Sequence, residues 1–355
     1  MTGTDGNPVR RATRARSAGA LVAGALVAGA LVGVTAVDAA AQAPPGARGT
    51  LQTDTLWSQS LGLRKALTVY LPPSYTTATA RRYPVLVYLH GLHGNERNWV
   101  DAGRIDRTLD SVFATGKPEA IVVMPDGDDS WYTTWNLLPD IAVCRADTAR
   151  AEPAATYCVP WPHYDDYIAH DVVQHVDRRY RTLAVGTRRG IAGLSMGGYG
   201  AIALALAYPD VFAAGASHSG LLSPRFLGPV PVAPPSRYAS NVVELETASR
   251  GLWRSMWPAF GRDTIGWVAR DPGHLIIHAL SRSRQRAGPR LPGLFFDSGV
   301  DDVLAIDQNR DFHQTLLRLG VSHEYVERPG DHNWSYWRTQ VVHSLDFLLG
   351  VVGTP

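Results

Sequence analysis

The chain has 355 residues, 45% of them apolar and 19% charged, which excludes a disordered or fibrous protein and leaves material for one large or two modest domains. Net charge is +2; residues 1–43 hold four of the 34 basic and two of the 32 acidic side chains, so the remainder is neutral. A neutral body argues against nucleic acid as the main partner.

The first segment reads as an export signal. Arg10, Arg11, Arg14 and Arg16 form a basic leader, Ser17 to Val37 is an uncharged Ala/Gly/Leu/Val-rich run, and Ala39-Ala40-Ala41-Gln42-Ala43 offers small residues for signal peptidase. The pattern predicts a secreted, extracellular protein. Export follows the Sec route, or the twin-arginine route that Arg10-Arg11 suits, although no Phe-Leu-Lys follows the pair. The competing reading is an uncleaved anchor, because the run is about long enough to span a bilayer. Cleavage would leave a single domain over 44–355 with no stable membrane span.

Short unbroken apolar runs then recur at Val85–Leu89, Ile121–Met124, Ile191–Gly193, Phe212–Ala216, Leu294–Phe296 and Tyr325–Val326. Helical stretches lie between several of them, at Ile105–Phe113, Tyr167–Tyr180, Met196–Tyr208 and Asn309–Leu319. Trp334 to Leu349 closes the chain as an amphipathic helix that Gly350 is expected to stop. Strands alternating with helices predict a mostly parallel central sheet flanked by helices. Parallel strands buried on both faces need no polar alternation, and these runs show none.

Two stretches break the alternation, 126–162 and 221–292. They read as lid-like insertions or binding loops rather than as separate domains. The first is rich in Asp, Trp, Tyr and Pro. Its Trp131, Tyr132 and Trp135 could stack on a sugar or an aromatic acyl group, or simply pack the loop. It also holds Cys144 and Cys158, the two cysteines of the chain, which an exported protein is expected to pair as a disulfide.

The chemistry concentrates in four places. Gly193-Leu194-Ser195-Met196-Gly197 is a G-x-S-x-G between a strand-like run and an Ala-rich helix, the strand–turn–helix context of a nucleophile elbow. Ser195 is the candidate nucleophile, and the Met196 N–H at the helix start can face an oxyanion. The base must follow an acid that itself follows Ser195. His313 and His343 fall in helices and His323 begins a strand run, whereas His332 sits in the loop Arg328–Trp334. The acid must come from Asp297-Ser298-Gly299-Val300-Asp301-Asp302. Asp302, after the glycine turn and before an expected Val303-Leu304 anchor, is preferred, with Asp301 the competitor. Leu89-His90-Gly91-Leu92-His93-Gly94 follows the first parallel strand, where Leu92 can supply the second oxyanion N–H. His90 and His93 lack an evident third ligand, so they read as structural and no metal site is expected.

The order of these motifs resembles one branch of the α/β-hydrolases, the serine esterases that include S-formylglutathione hydrolases, secreted feruloyl and acetyl esterases and mycolyltransferases. The resemblance rests on Tyr88-Leu89-His90-Gly91-Leu92-His93-Gly94 through Trp99, on Val122-Val123-Met124-Pro125-Asp126-Gly127, on Gly193 to Gly198, on Gly330-Asp331-His332-Asn333-Trp334, and on Ala259 to Pro272. It covers roughly residues 50–350 and implies an α/β-hydrolase fold. It also implies Ser195 as nucleophile, Asp302 as acid, His332 as base and Leu92 and Met196 as oxyanion donors, with no cofactor.

The expected activity is hydrolysis of a small-molecule or saccharide-linked carboxylic ester, of short-chain or aromatic acyl type, through a covalent acyl-enzyme. An acyltransferase to a sugar or other alcohol uses the same triad and stays open. So does a non-catalytic binding module on the same fold.

Overall fold

The computed structural model describes residues 46–353 apart from 135–140, 147–152, 229–236, 249–251, 253–255, 257–258, 262–263, 286–287 and 289. The export segment 1–43 and Trp135 lie outside the described residues.

Among the described residues eight strands form one sheet: β1 (Thr50–Ser58), β2 (Leu63–Leu71), β3 (Val85–Leu89), β4 (Ile121–Pro125), β5 (Arg189–Leu194), β6 (Ala214–His218), β7 (Gly293–Gly299) and β8 (Glu324–Arg328). Their order is β1-β2-β4-β3-β5-β6-β7-β8, antiparallel at β1/β2 and β2/β4 and parallel from β4 onward. Six helices matter here: α1 (Ile105–Ala114), α2 (Val173–Arg179), α3 (Met196–Ala207), α4 (Pro272–Ser283), α5 (Ile306–Leu319) and α6 (Trp334–Val352).

Helices on both faces explain the unbroken apolar strands. All five side chains of β3 are buried. Val85, Val87 and Leu89 pack with α2 and α3, while Leu86 and Tyr88 point the other way, to α1 and α6. Strand side chains alternate between faces, so a strand covered twice must be apolar at every position. Each such Val or Leu contributes about 1.5–3 kcal/mol by leaving water.

Several boundaries differ from the sequence reading. The hairpin β1–β2 carries no unbroken apolar run, because most of β1 faces solvent and β2 buries Lys65. Phe212 is buried just ahead of β6, which starts only at Ala214. Tyr167–Val172 is a π-helical stretch leading into α2. Gly350 does not stop α6, which runs to Val352. An internal glycine costs about 1 kcal/mol of helix propensity, and the buried Leu348, Leu349 and Val352 on either side outweigh it.

The insertion 126–162 contains the short helix Ile141–Ala146, and Cys144 in it is bonded to Cys158. The end of the 221–292 insertion is not a lid. There α4 packs Ile276 and Ala279 against Ile202 and Leu206 of α3 and Phe312 of α5, inside the helical layer. Among the described residues no helix is long and apolar enough to cross a membrane.

Candidate active site

The parallel strands end on one side of the sheet, and the loops that leave them there meet. Between β5 and α3 the chain turns on one residue. Ser195 has φ 52° and ψ −118°, a strained conformation for a residue with a side chain. The turn is tight enough that only glycine fits around it. A Cβ on Gly193 would lie 2.2 Å from the carbonyl oxygen of Gly197, and one on Gly197 would lie 2.5 Å from the carbonyl oxygens of Leu89 and His90. Helix α3 therefore starts hard against both strands, with the Met196 N–H in its first turn, outside the helical ladder.

The His332 loop leaves β8 and the Asp302 loop leaves β7. His332 Nε2 lies 2.9 Å from Ser195 Oγ, and its Nδ1 lies 2.9 Å and 3.1 Å from the carboxylate oxygens of Asp302. Asp302 is fully buried, and its carboxylate also accepts the N–H groups of Leu304 and Ala305. Asp301 turns its side chain to solvent and uses its N–H to hold Gly330 of the His332 loop. Of the expected Val303-Leu304 anchor, Leu304 packs on the core while Val303 is 61% exposed. Behind His332 stands Trp337, edge to face at 5.0 Å. Trp337 was legible only as an apolar position of α6.

The loop after β3 brings Gly91 beside Ser195: a Cβ on Gly91 would lie 3.5 Å from the Ser195 Cβ. Three carbonyls at its start are held. Trp99 Nε1–H donates to Leu89, the Tyr132 hydroxyl to His90, and both His90 Nδ1 and the Gly94 N–H to Gly91. The Gly127 N–H donates to His90 Nε2 at 2.9 Å, which leaves the proton on Nδ1. His90 thus spends both ring nitrogens on the protein and has none for a metal. His93 is exposed and bonded to Asp129.

Lys65, 3% exposed, anchors the neighbouring loop with Nζ 2.6 Å from Asp126 and 2.7 Å from Asp128. Burial works to lower its pKa, and the two carboxylates outweigh that and hold it above its ordinary value. Burial, and then the charge of Asp126, push Asp128 up.

Trp131 and Tyr132 do not offer a stacking surface in this structure. Each is 1% exposed. Trp131 packs edge to face on Tyr199 and Phe260, and Tyr132 packs beside His90. Both have positive φ, so the chain folds back there and these two rings turn inward. Their apolar area wins burial in the core, the alternative the sequence left open.

Two groupings were not singled out in the sequence. Asp297, the remaining carboxylate of residues 297–302, faces His218 at 3.0 Å instead of His332. Among the described residues His163, Asp165 and Asp166 bring three ligand atoms within 4.8 Å of one another, and they are hydrogen-bonded or ion-paired with Thr134 and each other.

Comparison with known proteins adds a family. Residues 58–348 match the family model "Putative esterase". Esterase Rv1288 of Mycobacterium tuberculosis is 28% identical over 286 residues, 78% of this chain and 54% of that one. The chain thus spans about half the length of that curated relative. A solved ferulic acid esterase superposes with TM-score 0.58 at 25% identity, covering 86% of this chain and 99% of the other. FphF, a fluorophosphonate-binding serine hydrolase of Staphylococcus aureus, superposes with TM-score 0.60 at 24% identity over 85% and 99%. The sheet, its flanking helices and these superpositions define an α/β-hydrolase fold.

Proposed function

We propose that this chain, which belongs to the esterase family, is a secreted serine hydrolase of short-chain or aromatic carboxylic esters, with a 1–43 signal segment and one catalytic domain over 44–355. The observation that carries this reading is the unbroken hydrogen-bond chain from Ser195 Oγ through His332 to Asp302. The ferulic acid esterase superposition supports an ester as the substrate. The Cys144–Cys158 bond supports an oxidising compartment.

In the proposed reaction the Ser195 hydroxyl gives its proton to His332 Nε2 while Oγ attacks the ester carbonyl carbon. The carbonyl oxygen becomes an oxyanion that the N–H groups of Leu92 and Met196 hold. As the C–O bond to the alcohol breaks, His332 returns the proton to the leaving oxygen, giving free alcohol and acyl-Ser195. Water then attacks with His332 again as base, releasing the carboxylic acid and regenerating Ser195. Asp302 keeps the Nδ1 proton in place and stabilises the imidazolium.

The test is a panel of p-nitrophenyl and feruloyl esters, from acetyl to long chain, with the protein and its Ser195→Ala variant. Turnover that disappears in Ser195→Ala supports the reading, and the best ester reports the acyl pocket. Acylation of Ser195 with turnover only when an alcohol or sugar is supplied would replace it with an acyltransferase. Neither acylation nor turnover would leave a binding module.

A further inference from the structure

The His218–Asp297 pair has no part in the reaction above. His218 ends β6, and Asp297 lies directly opposite it on β7. His218 Nδ1 is 3.0 Å from both carboxylate oxygens of Asp297, and His218 Nε2 is 2.8 Å from Ser344 Oγ on α6. Tyr88 of β3 places its hydroxyl 3.1 Å from the same Oγ, and Arg328 of β8 places Nη1 3.3 Å from Asp297. His218, Asp297, Ser344 and Tyr88 are all 0% exposed.

The single hydroxyl hydrogen of Ser344 has two acceptors in reach, His218 Nε2 and the carbonyl of Val341 at 2.9 Å. Given to His218, it completes a chain that runs one way. The Tyr88 hydroxyl donates to Ser344, the Ser344 hydroxyl to His218 Nε2, and His218 Nδ1–H to Asp297, whose charge Arg328 balances. No donor or acceptor in the chain is left unpaired, the condition under which a buried polar network is rigid rather than costly. The connectivity is that of a Ser-His-Asp triad, but a fully buried Ser344 can touch no substrate.

The backbone shows what the network holds. The Ser195 N–H donates to the carbonyl of His218 at 2.9 Å, the Ser219 N–H to that of Asp297 at 2.8 Å, and the Val300 N–H to that of Arg328 at 2.9 Å. The three carbonyls that carry the nucleophile turn, the next turn and the acid loop thus belong to the three residues whose side chains are joined. Tyr88 stands two residues before His90, and Arg328 four before His332.

We propose that His218 is a positioning residue, and that its network with Asp297, Ser344, Tyr88 and Arg328 sets the distance between Ser195 and His332 from beneath the site. This rests on the reading of Ser195 and His332 as nucleophile and base. Misplacing reacting groups by about 1 Å costs on the order of 100-fold in rate; the network has members on β7 and β8, whose loops carry Asp302 and His332, and reaches the turn after β5 through the bond from the Ser195 N–H to the His218 carbonyl.

The experiment measures kcat and KM for p-nitrophenyl acetate in wild type, His218→Leu, His218→Asn and Ser344→Ala. Active sites are counted by fluorophosphonate labelling, and folding is followed by near-UV circular dichroism and Tm. We expect His218→Leu to lower kcat per labelled site about 100-fold with KM within about threefold. His218→Asn, whose amide can still donate to Asp297, should recover about tenfold, and Ser344→Ala should lose about tenfold. A lower Tm with wild-type kcat per site in the His218 and Ser344 variants would mean a merely structural role and would overturn the proposal. Should His218→Leu fail to fold, the kcat of Ser344→Ala decides alone. Wild type without turnover would sink the functional reading and this inference with it, whereas wild-type turnover with unaltered variants sinks only the inference.

Discussion

His90 Nδ1 is bonded to the carbonyl oxygen of Gly91, its own neighbour in the chain, at 2.8 Å. A trans peptide unit points its C=O and N–H to opposite sides. Tying the Gly91 carbonyl to His90 therefore turns the Leu92 N–H away from His90. That is the group proposed to hold the oxyanion. His90→Ala leaves the Gly91 carbonyl to the Gly94 N–H alone, loosens this peptide unit and should lower kcat by up to about 100-fold, the scale of losing one oxyanion donor, with KM nearly unchanged. His90→Asn, which can place an amide donor near the Nδ1 position, should retain more activity than His90→Gln. Equal losses in both would contradict this role.

The acid loop offers a direct comparison between neighbours. Asp302 is buried against His332, and Asp301 is exposed. Asp302→Asn should lower kcat by about four orders of magnitude, because the amide favours the wrong imidazole tautomer. Asp301→Asn keeps the backbone bond to Gly330 and should stay within about twofold of wild type. Steady-state kinetics on a short-chain ester checks both.

Glu327 and Arg310 form a two-pronged ion pair at 2.9 Å and 2.7 Å between β8 and α5. The Arg310 hydrogen bonds hold the Glu327 carboxyl below its ordinary pKa, against partial burial that works to raise it. A depressed carboxylate stabilises the fold above its unfolded pKa and loses that contribution as pH falls through the folded value. Wild-type Tm should therefore fall more steeply than that of Glu327→Gln between about pH 5 and pH 3. Parallel Tm curves would show that the pair contributes nothing.

The Cys144–Cys158 bond closes a loop with a sequence separation of 14. Its loss should cost up to about 3 kcal/mol if the chain-entropy account holds. Cys144→Ser/Cys158→Ser should show that cost as a lower denaturation midpoint, and reducing agent should do the same to wild type. An unchanged midpoint would place the bond in a segment that opens before the rest unfolds.

The nucleophile turn and the parallel strands were legible because their constraints are local. A sharp strand-to-helix turn demands glycines at fixed offsets, and a strand covered on both faces demands an unbroken apolar run. The contact between Asp302 and His332 was legible in part, since sequence order restricts the candidates to one loop but cannot say which neighbour faces inward. Lys65 and the β1–β2 hairpin were not legible. A buried lysine looks like a solvent-facing break until Asp126 and Asp128 arrive from 61 and 63 residues away. Trp131 and Tyr132 were read as equally suited to a ligand or a core, and only the backbone turn decides between those. His218, whose partners come from β3, β7 and α6, leaves no local pattern.

Ser195 is the residue proposed to form the covalent bond to the acyl group. The most direct test of that role is intact-mass and peptide-mapping analysis after brief exposure to a fluorophosphonate and, separately, to p-nitrophenyl acetate. One adduct per chain is expected, located on Ser195, absent from Ser195→Ala and slow to form in His332→Ala. Stoichiometric labelling at another residue, or turnover that survives in Ser195→Ala, would contradict that role.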